Sequence, residues 1–441
     1  MIAAFALFLV LVVLCLVTDH SLVWALLLGA VPFVYLGRRK GFCWTQLWDM
    51  AWAKGRESLI VVPIFLSIGM VTALWRSSGT IAFFLYHGLR SISPAWFVLM
   101  SFLICAALSF LLGTSFGVTG TAGVVLISLA RTGGVSLPVA AGAILSGAYF
   151  GDRCSPMSSC AALVAACTDT DLYTNVKEML RTGLLPTVLA TAFYALQALR
   201  HPLDSVDPAV LETLRTSFSL SWATVLPALV MLVFPLLRVP LLTSVATSGV
   251  LAFGLSVLLQ GVAPLQAVRF ALAGYAPAQE ALAAILSGGG LLSMVEAGLV
   301  VFCTSLLAGL LGGIEALEPV YQWVEKSSRK LGLYPTSVLL SFACVSIFCN
   351  QSVTNLIQAQ LMGDLYEKQG ASRLELAMDI ANSGVVLAGL GPWSLAISVP
   401  LTILDVPVHT ILYAALLYLI PLCYLFTKRF YRVGQNREKA V

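Results

Sequence analysis

The chain has 441 residues, of which 59% are hydrophobic and only 10% charged, and its mean hydropathy is +0.93. Soluble domains carry about a quarter of their residues as charges, so the composition excludes a water-soluble globule and indicates an integral membrane protein with many spans. The net charge is only +4 and the basic residues are scattered, so nothing points to nucleic acid and none is expected as a partner.

The first stretch, MIAAFALFLVLVVLCLVT, has no basic n-region and no small-residue cleavage site. It is expected to stay as a first span, not to act as a signal peptide. A span needs about 20 apolar residues. Runs that qualify begin near Ile2, Ser21, Ser58, Pro94, Leu137, Gly183, Leu220, Leu241, Leu291, Pro335, Val385 and His409. Shorter apolar pieces at 81–88, 117–130, 161–166, 353–361 and 376–380 read as re-entrant or interrupted segments. The expected fold is an all-α polytopic membrane protein with about 10–13 transmembrane or re-entrant helices, arranged as two inverted repeats with broken helices. The polar stretch 200–218 reads as a central connector between a first half, 1–199, and a second half, 219–427, with a basic tail at 428–441.

Orientation follows the basic loops. Arg38, Arg39, Lys40, Lys54 and Arg56 form one group, and Lys428, Arg429, Arg432, Arg437 and Lys439 form another. Both are expected on the cytoplasmic side of the inner (plasma) membrane, which places both termini there. The four histidines, His20, His87, His201 and His409, are far apart, and the ten cysteines lie mostly in apolar runs. No metal-ligand spacing and no nucleophile–base pair emerges. Neither an enzyme nor a cofactor is expected, and any metal would be a transient monovalent cation.

Each half contains a polar interruption, a connector, and a Gly/Pro break beside a carboxylate. The first has GTSFGVTGTAG (113–123) followed by GDRCSPMSSC (151–160). The second has CNQSVTNLIQAQ (349–360) followed by MDIANSGVVLAGLGPWS (378–394). Glycine weakens a helix and proline removes a donor, so such breaks leave backbone groups without intrahelical partners. In lipid, these groups are tolerated only where protein, water or a ligand takes up the bonds. Matched interruptions in two halves point to a transport site near the midplane. Taken alone, the first could also be close helix packing through small residues.

The segment GAILSGAYFGDRCSP (142–156) resembles the signature of the NhaC-type Na+/H+ antiporter family, within the larger ion transporter superfamily. Other matches fall in order: SGTIAFFLYHGL (78–89), GTSFGVTGTAGV (113–124), DLYTNVKEML (171–180), Asn350–Gln351, Gln360, Asp364–Tyr366, Ser383–Gly384 and Pro392–Trp393. The resemblance implies a secondary transporter that exchanges Na+ for protons, with re-entrant hairpin tips around a central site. Some members couple an organic acid or amino acid instead. The chain departs from the family pattern twice. Where the family reads Ser-Asp-Thr-Thr-Asn, this chain has Ser158–Ser159–Cys160–Ala161–Ala162, and where it reads Glu-Asp-Ser-Gly, this chain has Ala381–Asn382–Ser383–Gly384. Losing two carboxylates implies weaker Na+ binding and leaves room for a substrate carboxylate.

The candidate ion- or substrate-binding residues are Thr114, Ser115, Thr119, Asp152, Ser155, Ser158, Ser159, Asn350, Gln351, Asn355, Asp379, Asn382, Ser383 and Trp393. Asp152 leads as the proton carrier, since a carboxylate between apolar segments is expensive and functional by default. Glu296, inside the apolar run GGGLLSMVEAGLVVF, is the second proton-coupling candidate. Arg153 reads as a counter-charge or interface anchor. The expected partners are protons, Na+, a small amino or organic acid, and the lipid bilayer; a homodimer is compatible with the sequence. A channel would need an open pore, whereas two interrupted halves suit alternating access.

Overall fold

The computed structural model describes residues 2–18, 20–59, 62–91, 94–201, 208–237, 239–277, 279, 282–283, 286–314 and 318–431. Among the described residues the chain is helical, with an isolated bridge between Tyr275 and Gly288 and no strand. The surface and interior divide as lipid requires. Leu184, Val250 and Leu258 are exposed, while Ser101, Thr119, Ser128, Ser146 and Asn355 are buried.

Two helical hairpins are built by the same local device. In the first, Phe97–Leu112 ends at Gly113 in the left-handed region (φ +68) and Thr114 then extends (φ −147, ψ 125). Thr114 Oγ1 accepts from the Gly117 amide and starts the return run Ser115–Val118, Thr119–Gly123 and Val124–Thr132. In the second, Leu333–Phe348 ends at Cys349 (φ +51) and Asn350 extends (φ −134, ψ 125). Asn350 Oδ1 accepts from the Ser352 and Val353 amides at 2.9 and 3.2 Å to start Gln351–Lys368. A left-handed residue followed by an extended capping residue reverses the chain in both halves. The middle of the first return run widens into a π turn, Thr119–Gly123, a distortion that recurs at functional sites.

Each hairpin is followed by a broken rod. Leu137–Cys154 stops at Ser155, and Ser159–Thr168 restarts from Ser158 and ends at Asp169 (φ +53). The second rod comprises Arg373–Ala381, Gly384–Leu387 and Leu395–Leu404, ending at Asp405 (φ +54). The run expected to span from Val385 is thus interrupted at 388–394, where Gly389, Gly391 and Pro392 lie.

The long helix Leu172–Arg200 returns along the first rod. Asn175 Nδ2 donates to Thr170 Oγ1 near the rod's end, Arg153 reaches Met179 and Thr182 at the break, and Tyr194 meets Gly142 and Ser146 near its start. The first hairpin packs on the same rod so closely that a side chain at Gly151 would come under 3.0 Å of the Ser109 and Phe110 backbone. The two rods run in opposite directions. Asp405, ending the second, pairs with Arg131 just before the first begins (3.3 Å), and Asp169, ending the first, pairs with Arg373 at the start of the second (3.4 Å).

Among the described residues, three helical runs are long and apolar enough to cross a membrane: Ser115–Thr132, Leu172–Arg200 and Leu291–Gly313. Two bent pairs, Leu66–Ser77 with Thr80–Gly88 and Leu211–Ser217 with Trp222–Phe234, add to these. Breaks divide the remaining apolar length into shorter pieces, including both rods. The connector contributes the helix Pro208–Ser217. Of the basic tail, Arg432, Arg437 and Lys439 lie outside the described residues.

Candidate functional site

Both hairpin tips meet at one carboxylate. Asp152 lies on the last turn of the first rod's leading helix and is 7% exposed. Gln351, the first residue of the second hairpin's return helix, donates from Nε2 to Asp152 Oδ2 at 3.4 Å and to Val385 O at 2.8 Å. Ser115, the first residue of the other return run, faces the same carboxylate through its amide and hydroxyl. Asp152 therefore sits at two helix N-termini, each of which favours a negative charge by roughly 0.3–1 kcal/mol. A carboxyl held there out of bulk water, between elements from both halves, is suited to take up and release a proton.

Several predicted residues are committed to shaping this centre. Thr114 and Asn350 cap the return helices, and the Thr119 hydroxyl donates to Ser115 O at 2.8 Å. The Ser155 hydroxyl donates to Phe110 O at 2.6 Å. The Ser158 hydroxyl donates to the Asp152 carbonyl and accepts from the Cys160 and Ala161 amides. Trp393 is half-buried, with Nε1 donating to Val345 O at 3.3 Å, so it braces the second break against the second hairpin.

Other candidates lie away from the carboxylate. Ser159 is exposed. Asp379 is fully buried, but its carboxylate accepts from Tyr366 and Lys428, and Lys428 also bridges to Glu375 at 2.8 Å. Glu296 is exposed, not enclosed by the apolar run that carries it. It lines a cleft of about 850 Å³ together with His20, Ser293, Ser398, Asp405 and His409. The helix face it occupies opens into a polar recess that sequence proximity does not show.

Arg153 is neither an interface anchor nor a partner of its neighbour Asp152. It is 1% exposed and donates to Ala381 O (3.2 Å), Met179 O (2.9 Å), Thr182 Oγ1 (3.0 Å) and Asn382 Oδ1 (2.7 Å). Among the described residues, no carboxylate lies within ion-pair distance of it. It ties the first rod to the long helix and to the end of the second rod's first segment. Gln358 was not among the predicted residues. It lies one turn beyond Asn355, is fully buried, and donates to Ser337 O (3.1 Å), Ser337 Oγ and Ser383 Oγ (2.8 Å). Helical spacing from Asn355 was the available signal.

The model of a family described as the Na+/H+ antiporter family matches residues 1–165 and 147–427. The chain belongs to the Na+/H+ antiporter family. Relatives extend over most of its length. A malate-2H+/Na+-lactate antiporter of Bacillus subtilis (strain 168) is 28% identical over 366 residues, 81% of this chain and 78% of that protein. The Na+/H+ antiporter NhaC of Alkalihalophilus pseudofirmus is 27% identical over 385 residues, 85% of this chain and 82% of that one. The arginine/ornithine antiporter ArcD of Halobacterium salinarum is 26% identical over 363 residues, 80% and 75% respectively. The antiporter is a multi-pass membrane protein of the NhaC type, and the relatives are transporters, not enzymes.

Proposed function

We propose that this antiporter exchanges Na+ for protons by alternating access, with Asp152 as the proton carrier. The supporting observation is the meeting of two opposed hairpin tips, through Ser115 and Gln351, at a single buried carboxylate. Movement of either hairpin relative to the rods changes which side reaches Asp152, while the carboxylate itself stays in place. The protein sits in the inner membrane with both termini on the cytoplasmic side, where Arg38, Arg39, Lys40 and Lys428 cluster near chain reversals.

Asp152→Asn tests the reading in proteoliposomes under an imposed pH gradient. The variant should insert and fold but lose proton-driven Na+ flux, since the amide keeps the shape of the carboxyl group, with one acceptor oxygen in place of two, and cannot titrate. Undiminished exchange with an unchanged pH profile would assign Asp152 a capping role only.

A second reading, exchange of a small organic acid or amino acid, draws on Arg153. A buried guanidinium with no carboxylate partner among the described residues gives the centre a fixed positive charge, and two relatives carry names of organic-solute antiporters. Competition of malate, lactate, arginine or ornithine with Na+ flux distinguishes it from the first.

A further inference from the structure

We propose that Asn355 and Gln358 form a cradle for a dehydrated monovalent cation, placed beside Gly384 and separate from the Asp152 carboxylate. This rests on the exchanger reading and specifies where its cation is held. Both side chains are fully buried, and among the described residues neither Asn355 Oδ1 nor Gln358 Oε1 accepts a hydrogen bond. The direction of the Gln358 amide is set by its neighbours, because the Ser337 carbonyl can only accept and so faces Nε2. Asn355 Nδ2 is directed to Cys160 Sγ at 3.4 Å, which turns Oδ1 the other way.

The two bare oxygens converge. Each comes under 3.0 Å of the point where a β-carbon on Gly384 would lie. Two buried acceptors facing one place repel each other unless a positive group lies between them. Helical spacing of three residues holds them on one face of Gln351–Lys368, and only a glycine, with no β-carbon, lets both oxygens come this close to the Gly384 backbone. The ligand class follows from the donors. Amide oxygens without a carboxylate suit a singly charged ion, whereas Ca2+ and Mg2+ sites are built around carboxylates.

The cradle also lies within the influence of Asp152. Cys160, which receives the Asn355 amide, is close enough to Asp152 for the two to interact electrostatically. An ionised Asp152 therefore strengthens cation binding through space, and a protonated one weakens it. Cation and proton oppose each other without sharing a ligand atom.

The test is equilibrium binding of Na+, Li+ and K+ to the purified full chain, at constant ionic strength and at two pH values. Wild type should bind at least one of these ions saturably. Gly384→Ala, which places a methyl against both oxygens, should weaken that affinity tenfold or more. Asn355→Asp, of nearly the same shape, should raise it about tenfold and so remains informative if the alanine variant misfolds. Asp152→Asn should weaken binding without abolishing it and remove its pH dependence. Absence of cation binding in wild type, or equal affinities in wild type, Gly384→Ala and Asn355→Asp, would overturn the cradle. Loss of proton-driven exchange in Asp152→Asn alongside normal binding in the cradle variants would reject the cradle and keep the proton carrier. Normal exchange in Asp152→Asn with binding lost in the cradle variants would do the reverse.

Discussion

Asn382→Asp separates what the family pattern implies from what the structure implies. The pattern expects a carboxylate here to strengthen cation binding. In the structure, Asn382 Oδ1 accepts from Arg153 Nη2 at 2.7 Å, so a new carboxylate would be captured by the guanidinium. At roughly 4 Å between charge centres and an effective dielectric of about 20, their attraction is on the order of 4 kcal/mol. Removing a carboxylate from water costs several kcal/mol in return. The two nearly cancel, and the remaining cost is the bond that Asn382 Nδ2 donates to Met378 O at 2.8 Å, which a carboxylate oxygen cannot make, so folding stability should fall by about 1–3 kcal/mol. The new charge is consumed locally, so the half-saturating Na+ concentration should stay within about threefold of wild type, under 1 kcal/mol. The assay is Na+ flux against Na+ concentration in proteoliposomes at fixed pH, run for Asn382→Asp alone and combined with Arg153→Gln. Only the combination should free the carboxylate to act on a cation. A tenfold or greater gain in Na+ affinity from Asn382→Asp with Arg153 intact would refute the capture argument.

The Asp379 cluster should be structural first. Lys428→Met leaves a buried Asp379 facing Tyr366 and Glu375 without its cation, at a cost of about 3–5 kcal/mol, and a fluorescence thermal-stability scan should show a clear downward shift. An unchanged midpoint would mean that the carboxylate has another counter-charge. A reporter active only in the cytoplasm, fused after Val441, should be active; an inactive but stably inserted fusion would invert the proposed orientation.

What the sequence discloses about this fold follows from the range of each signal. Gly113, Pro156 and the Gly389–Pro392 stretch mark breaks because their effect on the backbone is local, and all three fall at interruptions. Serines and threonines near the breaks were legible as polar, but not their tasks. Ser155 and Ser158 hold the break together, and Ser159, one residue on, is exposed, because a helix start turns adjacent side chains in different directions. Cys349 in a left-handed conformation has no sequence mark, since the hairpin imposes it. Contacts remote in sequence were beyond reach. Lys428 meets Asp379 across 49 positions, and Arg153 meets Asn382 across 229. Glu296 shows the same limit from the opposite side, because an apolar sequence does not reveal a polar cleft supplied by other elements.

The charges around the two breaks bear on the stoichiometry of exchange. Taking the Asp152 carboxylate together with the separate Asp379 cluster, Asp152, Asp379 and Glu375 carry negative charge when ionised and Arg153 and Lys428 positive charge, which leaves one negative charge unmatched over the two breaks. Moving a net charge through a low-dielectric barrier is costly, so the forms that reorient most readily are those whose bound ion brings the centre to neutrality. One monovalent cation does so, and so does one proton. The empty form stays negative and the doubly loaded form becomes positive, so both are held back. With Asp152 as the proposed proton carrier, the expected cycle carries one cation in one direction and one proton in the other, with no net charge moved. Exchange in proteoliposomes should be insensitive to a potassium diffusion potential set with valinomycin. A potential of 100 mV would shift the balance of a cycle moving one net charge by about 2.3 kcal/mol, close to fiftyfold in the equilibrium gradient. A response of that size would show that more than one proton accompanies each cation and that a second group, with Asp379 the nearest candidate, titrates in the cycle.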